Sequence, residues 1–405
     1  MRALWKGLMT MAAVTGAMLA IPGTSAFAAG SIEQIDVPSA AFNVTKQPAG
    51  PVPPGAGRAA LPLELRATVL LPAGYRTSPR KRYPVLYLLH GAAEAYDHWA
   101  APGRGDIAKL AAGFPGIIVM PEGGALGFYS DWWEQGRRDG AKWETYYRDE
   151  LIPEIERRYR IRPQRRWHAI AGLSMGGYGA MYLAGQLPGY FGSASSYSGS
   201  IDNANPQLGV FLSTTPTLFG PGVDQDHLWG PTTGWYAVGH NPTKLVSNVA
   251  QTRLFVAYGT GVPCPGDSDG SDADGLGPNA PAAFNPPLGR ALYPPLLSNL
   301  EILGRDASMA FVASARAAAI PVTVDAAPCG THWWETWRRA FRLDRQRGFF
   351  EPVAETASKY TYTTIAQRGQ AWDLTYARAE RPTGLLTLVR SVEGGRDGEA
   401  DDHHP

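Results

Sequence analysis

The sequence predicts an α/β fold, a doubly wound and mostly parallel sheet with helices on both faces, from three observations. Short apolar runs close on glycine, stretches with helical spacing separate them, and Gly172-Leu173-Ser174-Met175-Gly176 joins one such run to a helix. Strands buried on both faces read as continuous apolar runs rather than alternating ones, and strand-helix alternation over this length is the signature of parallel crossovers.

The elements follow in chain order. "LELRATVLLP", from Leu63 to Pro72, alternates like a strand, and "YPVLYLLHG", from Tyr83 to Gly91, is a buried apolar run. "GIIVMPEGG" repeats that design from Gly116 to Gly124. "WETYYRDELIPEIERRYRI" places Tyr147, Leu151, Ile155 and Tyr159 on one helical face. "RWHAIAGLS" is the strand that enters the serine turn, and a helix to about Leu187 leaves it. "GSASSYSGS", "RLFVAYGTG" and "PVTVDAA" supply further strands, while Asn299–Ile320 and "THWWETWRRAFRL" read as helices. Between them, Val262–Pro287 is dominated by Gly, Pro, Asp and Ser, an irregular surface excursion.

Beyond Phe350 the period changes to two. "KYTYTTI", "AWDLTYARA" and "LLTLVRS" predict a small antiparallel meander over 350–392, leaning on the domain at 58–349, and a polar tail at 393–405. At the other end, Arg2 and Lys6, the apolar run Leu8–Ile21 and Ala26-Phe27-Ala28 form the three parts of a secretory signal, with cleavage expected near Ala28 and an extended lead-in over 29–57. The run is short for a bilayer span, and no later segment approaches an uninterrupted transmembrane length, so no integral membrane segment is expected after cleavage. Asn43-Val44-Thr45 fits the glycosylation sequon. Two cysteines in an exported chain suggest one disulfide, Cys264 to Cys329.

Composition narrows the function. With 37 basic and 36 acidic residues the formal charge is +1, which supplies no electrostatic argument for nucleic acid or an anionic membrane. No ligand cluster suggests a metal, and no cofactor is implied. The chemistry is expected around Ser174. A serine on a sharp strand-to-helix turn is exposed by glycines on either side, and the Met175 N–H then points where an oxyanion would form. A second donor is expected from the loop after the earlier strand, where Gly91 permits a close turn and offers the Ala92 N–H. Of eight histidines, His332 lies late, between the last strand and the last helix, where a base belongs. His90 precedes the serine and reads as a strand-end packing residue rather than a base. The acid must fall between serine and histidine. Asp267, Asp269, Asp272, Asp274, Asp306 and Asp325 compete there with Glu301, which differs in sitting within Leu300-Glu301-Ile302-Leu303. A buried carboxylate there would need a partner, and the His332 imidazole is one.

Taken together, "YPVLYLLHG", "VMPEGG", "FYSDWW", "WETYYRDELIPEIERRYR", "GLSMGGYGAMYLAGQLPGYFGSASSYSG", "LWG", "HNP" and "GTHWW" resemble the secreted putative-esterase family of α/β-hydrolases, which includes esterase D-like enzymes and the antigen 85 mycolyltransferases. The resemblance runs from about Leu63 to Arg342. It implies Ser174 as nucleophile, Glu301 as acid, His332 as base, and Ala92 and Met175 as oxyanion donors; the interval from Glu301 to His332 resembles that of the mycolyltransferases. His90 stands where those enzymes carry an aspartate that meets the sugar acceptor, which weighs against transfer to sugar and makes His90 a candidate substrate contact.

Phe128, Tyr129, Trp132, Trp133, Trp333 and Trp334 are spaced to rim the same end of the sheet, with Tyr129, Trp132, Trp133 and Trp334 expected to touch substrate. The disulfide is expected to tie the excursion to the His332 loop. The implied activity is a secreted or cell-wall-associated carboxylester hydrolase acting on an ester or acyl-lipid substrate, a cell-envelope glycolipid among them. Acyl transfer to an envelope sugar is the alternative, and a non-catalytic envelope binder the third reading.

Overall fold

The structure is a computed structural model and describes residues 30–42, 65–138, 140–219, 223–267, 288–353, 359–372, 374–393 and 396–397. The signal segment, the Asn43 sequon, most of the excursion and most of the polar tail lie outside the described residues.

Eight strands form the main sheet: β1 (Ser31–Asp36), β2 (Arg66–Leu71), β3 (Val85–Leu89), β4 (Ile117–Pro121), β5 (His168–Leu173), β6 (Ser193–Tyr197), β7 (Arg253–Tyr258) and β8 (Thr323–Ala326). Their order is β1-β2-β4-β3-β5-β6-β7-β8. The pairs β1–β2 and β2–β4 are antiparallel and every later pair is parallel. The expected lead-in is therefore partly sheet: Ser31–Asp36 pairs along the whole of β2, covering an edge that would otherwise expose unpaired backbone.

Alternate residues of β3 serve opposite faces. Val85, Tyr87 and Leu89 join one core cluster, while Leu86 and Leu88 join the other, on the face covered by Trp334, Trp337 and Phe341. Both faces are buried, which is why the run is apolar throughout. Tyr147, Leu151, Ile155 and Tyr159 are all buried as their spacing predicts. Their helix is not uniform: α-helix at Trp143–Tyr146 and Ile152–Arg158 flanks a π turn at Tyr147–Leu151. Pro153 has no N–H to donate and its ring crowds the preceding turn, so the ladder loosens just before it.

Three further helices position the site: Met175–Gln186, Leu288–Ala317 and Trp334–Arg347. A fourth, Pro206–Phe219, has no counterpart among the expected elements.

The appendage differs from a simple meander. Strands β9 (Lys359–Thr364) and β12 (Leu386–Glu393) pair with each other, and the hairpin of β10 (Arg368–Ala371) and β11 (Leu374–Ala377) is a separate sheet. Arg368 and Gly369, which lie between the segments "KYTYTTI" and "AWDLTYARA", begin β10. The unit is anchored by Asn248, whose side-chain amide exchanges bonds of 2.8 and 2.7 Å with the Thr363 backbone, and by the Tyr362 hydroxyl donating to the Gln186 carbonyl. Among the described residues no helix is long and apolar enough to cross a membrane.

Candidate active site

The sheet reverses its winding between β3 and β5, the place where open α/β sheets leave a crevice beyond their carboxyl ends. Ser174 follows β5 there, Ala92 follows β3, Ser198 follows β6, Gly259 follows β7 and His332 follows β8. Parallel strands thus bring five chain-distant loops to one edge.

Ser174 has φ 52° and ψ −119°, in the left-handed half of backbone space that a serine rarely occupies. Its N–H is held by the Tyr197 carbonyl at 2.9 Å, and its own carbonyl accepts from Tyr178. The flanking glycines are needed for close approach. A Cβ at Gly172 would lie 2.3 Å from the Gly176 carbonyl oxygen, and one at Gly176 would lie 2.5 Å from that of His90.

The Ser174 Oγ lies 2.8 Å from His332 Nε2, and His332 Nδ1 lies 3.0 Å from Glu301 Oε2. Glu301 is fully buried, and its other oxygen accepts from the Ser198 hydroxyl at 2.8 Å and from the Gly259 N–H. An ionised acid with every oxygen engaged is a fixed acceptor, so Nδ1 carries the proton and Nε2 is free to accept from the serine. His332 is held in turn by its N–H to the Leu297 carbonyl and by edge contact with the Trp337 ring at 5.1 Å. Of the other described carboxylates, Asp267 pairs with Arg339, Asp306 with Arg305, and Asp325 bonds to neither Ser174 nor His332. Asp269, Asp272 and Asp274 lie outside the described residues.

The Ala92 and Met175 N–H groups both border the cleft and donate to no acceptor among the described residues. Glu94, absent from the expected site, also borders it and accepts from the Gly91 N–H at 2.8 Å, pinning the turn that presents Ala92. Burial raises its carboxyl above the usual range.

The aromatic expectation needs correction. Tyr129, Trp132 and Trp334 are buried in the core, Tyr129 donating to the His90 carbonyl, Trp132 to the Gly127 carbonyl, and Trp334 stacking edge-on against Trp99. His90 is equally buried; its Nε2 accepts from the Gly123 N–H and its Nδ1 donates to the Gly91 carbonyl, so it braces two loops and reaches no substrate space. Trp133 packs beside Trp235 and Tyr236, away from the cleft lining. The cleft, about 140 Å³, is instead walled by Phe128, Phe211, Leu297, Leu300, Trp333 and Trp337. Phe211 comes from the unexpected Pro206–Phe219 helix, whose Pro and Thr content masked its period.

Cys264 and Cys329 form a disulfide with a Cα separation of 5.0 Å. Together with the Gly261 N–H donating to the Gly330 carbonyl and the Asp267–Arg339 pair, it ties the start of the excursion to the loop and helix on either side of His332. Among the described residues no cluster of His, Cys, Asp or Glu has a metal-binding arrangement.

A model of the family described as "Putative esterase" matches residues 59–347. The chain is 38% identical to esterase Rv1288 of Mycobacterium tuberculosis over 200 residues, 47% of this chain and 42% of that protein. It is 31% identical over 194 residues to the diacylglycerol acyltransferase/mycolyltransferase Ag85C of Mycobacterium leprae, covering 44% and 54%. The chain thus spans about half the length of these relatives. Among solved structures, M. tuberculosis MPT51 (FbpC1) superposes with a TM-score of 0.56 at 24% identity, over 79% of this chain and 99% of that one. FphF, a Staphylococcus aureus fluorophosphonate-binding serine hydrolase, gives 0.54 at 14%, over 80% and 99%. At these identities the likeness is one of fold, the α/β-hydrolase fold.

Proposed function

This chain belongs to the putative-esterase family, and we propose that it is a serine carboxylester hydrolase working through an acyl-enzyme on Ser174. The observation that carries the reading is the unbroken relay from Ser174 Oγ through His332 to a fully buried Glu301. As the serine oxygen bonds to the carbonyl carbon, its proton passes to His332 Nε2 and the carbonyl oxygen becomes an oxyanion between the Ala92 and Met175 N–H groups. Collapse expels the alcohol, which takes the proton from Nε2. Water then repeats the cycle, giving its proton to His332 and releasing the acid. Glu301 stays ionised and stabilises the imidazolium.

Turnover of p-nitrophenyl acetate and a fluorophosphonate adduct mapped to the Ser174 peptide test this. Both are expected to vanish in Ser174→Ala; turnover that survives the substitution refutes the assignment.

Transfer of the acyl group to an alcohol is the second reading, since the two reactions share every step up to the acceptor and the apolar wall of Phe211, Leu297 and Leu300 suits the acyl chain in either. Acylated sugar formed when an acceptor is added would select it over hydrolysis. Export is supported by the N-terminal signal pattern and by the disulfide, which persists in oxidising compartments.

A further inference from the structure

A second cleft, of about 500 Å³, opens where the C-terminal appendage meets the main domain. Its volume lies in the range of roughly 300–1,000 Å³ usual for small-molecule sites. One wall comes from the segment around Asp131–Asp149 with Tyr236 and His240, the other from Ile365–Arg368 and Ala377–Pro382. The walls are built into the fold: a Cβ at Gly239 would come within 2.3 Å of Ile365, and Arg138 and Arg381 each donate across the gap to backbone carbonyls of the facing wall.

The charges in it are unbalanced. Arg138, Lys142, Arg368, Arg378 and Arg381 border the cleft, and none forms an ion pair with a carboxylate among the described residues. Lys142 and Arg378, like the two bridging arginines, donate to carbonyls, and Arg138 also lies over the Trp235 ring at 5.4 Å. Burial and the adjacent Arg381 guanidinium both lower the Arg138 pKa, a sign of positive charge without its counterion. The carboxylates nearby are already engaged: Glu144 and Asp149 by Arg148, and Asp131 by the Thr145 N–H and hydroxyl.

A second observation concerns hydroxyl recognition. His240 is 1% exposed and its Nδ1 donates to the Tyr236 carbonyl at 2.9 Å, which makes Nε2 an acceptor, and that nitrogen has no hydrogen-bond partner. Burial holds the ring neutral, its pKa pushed down to about 4. A buried acceptor lacking a donor, beside carboxylate oxygens with lone pairs to spare, suits ligand hydroxyls.

We propose that this cleft binds a saccharide bearing a carboxylate or phosphate, the cations taking the oxyanion and His240, Glu144 and Asp131 accepting from the hydroxyls. Guanidinium pairs match planar and tetrahedral oxyanions through two parallel bonds, and mixed acceptors nearby distinguish a sugar from a bare ion.

The test is calorimetric titration of the full chain at low salt with trigalacturonate, glucose 6-phosphate, maltotriose and inorganic phosphate. Binding of trigalacturonate or glucose 6-phosphate is expected, at least tenfold tighter than that of maltotriose or inorganic phosphate, and the tighter of the two identifies the oxyanion. Arg368→Glu, an exposed position without a side-chain partner among the described residues, should weaken it tenfold or more with an unchanged melting temperature. Lys142→Gln should weaken it in the same direction. Ser174→Ala should bind as the wild type does, so the outcome is independent of the esterase reading. Equal binding of maltotriose, equal binding of inorganic phosphate, no binding by either anionic sugar, or no loss in Arg368→Glu would each overturn the proposal.

Discussion

Replacing Glu301 by glutamine isolates what the buried acid does for the histidine. The two side chains have nearly the same volume, and a glutamine carbonyl oxygen still accepts from Ser198 and the Gly259 N–H, which now bond Oε1. The amide nitrogen must then face His332 Nδ1, at the position Oε2 holds 3.0 Å away. Two donors cannot share that contact, so the imidazole shifts its proton to Nε2 and presents an N–H to a serine hydroxyl 2.8 Å away. A base in that tautomer cannot take the serine proton. The same tautomer error in a serine protease triad costs about 10⁴ in kcat, or roughly 5.5 kcal/mol of barrier. We expect kcat for p-nitrophenyl acetate to fall by roughly that factor in Glu301→Gln, with KM and melting temperature close to wild type. Asp267→Asn, which removes only the pair with Arg339 and leaves the disulfide in place, should keep kcat within about twofold. A well-folded Glu301→Gln that retains more than a tenth of the activity, or an Asp267→Asn that loses as much, would refute the relay.

Three other outcomes are expected. The Cys264–Cys329 bond spans 65 residues, and on the chain-entropy account its removal in a double serine variant lowers stability by roughly 4 kcal/mol; ester turnover should fall before global unfolding in a denaturant series, because the restrained loop carries His332, and coincident loss would show the restraint is not specific. His98 is buried with its pKa pushed down to about 3, chiefly by burial and then by Arg104. The folded form therefore binds fewer protons than the unfolded chain below the ordinary histidine pKa of about 6.5, so stability is lost as pH falls through that value; at pH 5 the loss is roughly 2 kcal/mol. His98→Asn should flatten the unfolding free energy between pH 6.5 and 4 relative to wild type, and parallel curves would exclude the effect. Phe211→Trp shortens the cleft, and excluding two methylenes at about 0.8 kcal/mol each should cut kcat/KM for octanoate relative to acetate esters roughly tenfold; an unchanged ratio would place the acyl chain elsewhere.

The aromatic residues show where sequence reasoning stops. Adjacent tryptophans on a loop or helix start cannot both face inward, and indeed Trp334 is core while Trp333 borders the cleft. Alternation says that one of the two is exposed, but which one depends on the neighbour, here Trp99 waiting on the inner side. The same holds for Trp132 and Trp133, with the added outcome that the outward member meets Trp235 rather than substrate. His90 was a candidate contact only because of its place in a loop pattern; the Gly123 N–H that captures it comes from another strand's end.

What the sequence determined by itself was local and periodic: the buried strands, the long amphipathic helix, the glycine-flanked serine turn with its Met175 N–H, and a late histidine. Those features follow from backbone sterics and side-chain periodicity within about ten residues. The tertiary structure alone decided the pairing of β1 with β2, the closure of β9 on β12 around a separate hairpin, the arrival of Phe211 in the wall of the Ser174 cleft, and the cationic cleft beside the appendage. Each joins segments far apart in the chain, and their meeting is set by strand order and by which buried surfaces complement one another, a competition among the whole chain's contacts that no short stretch encodes.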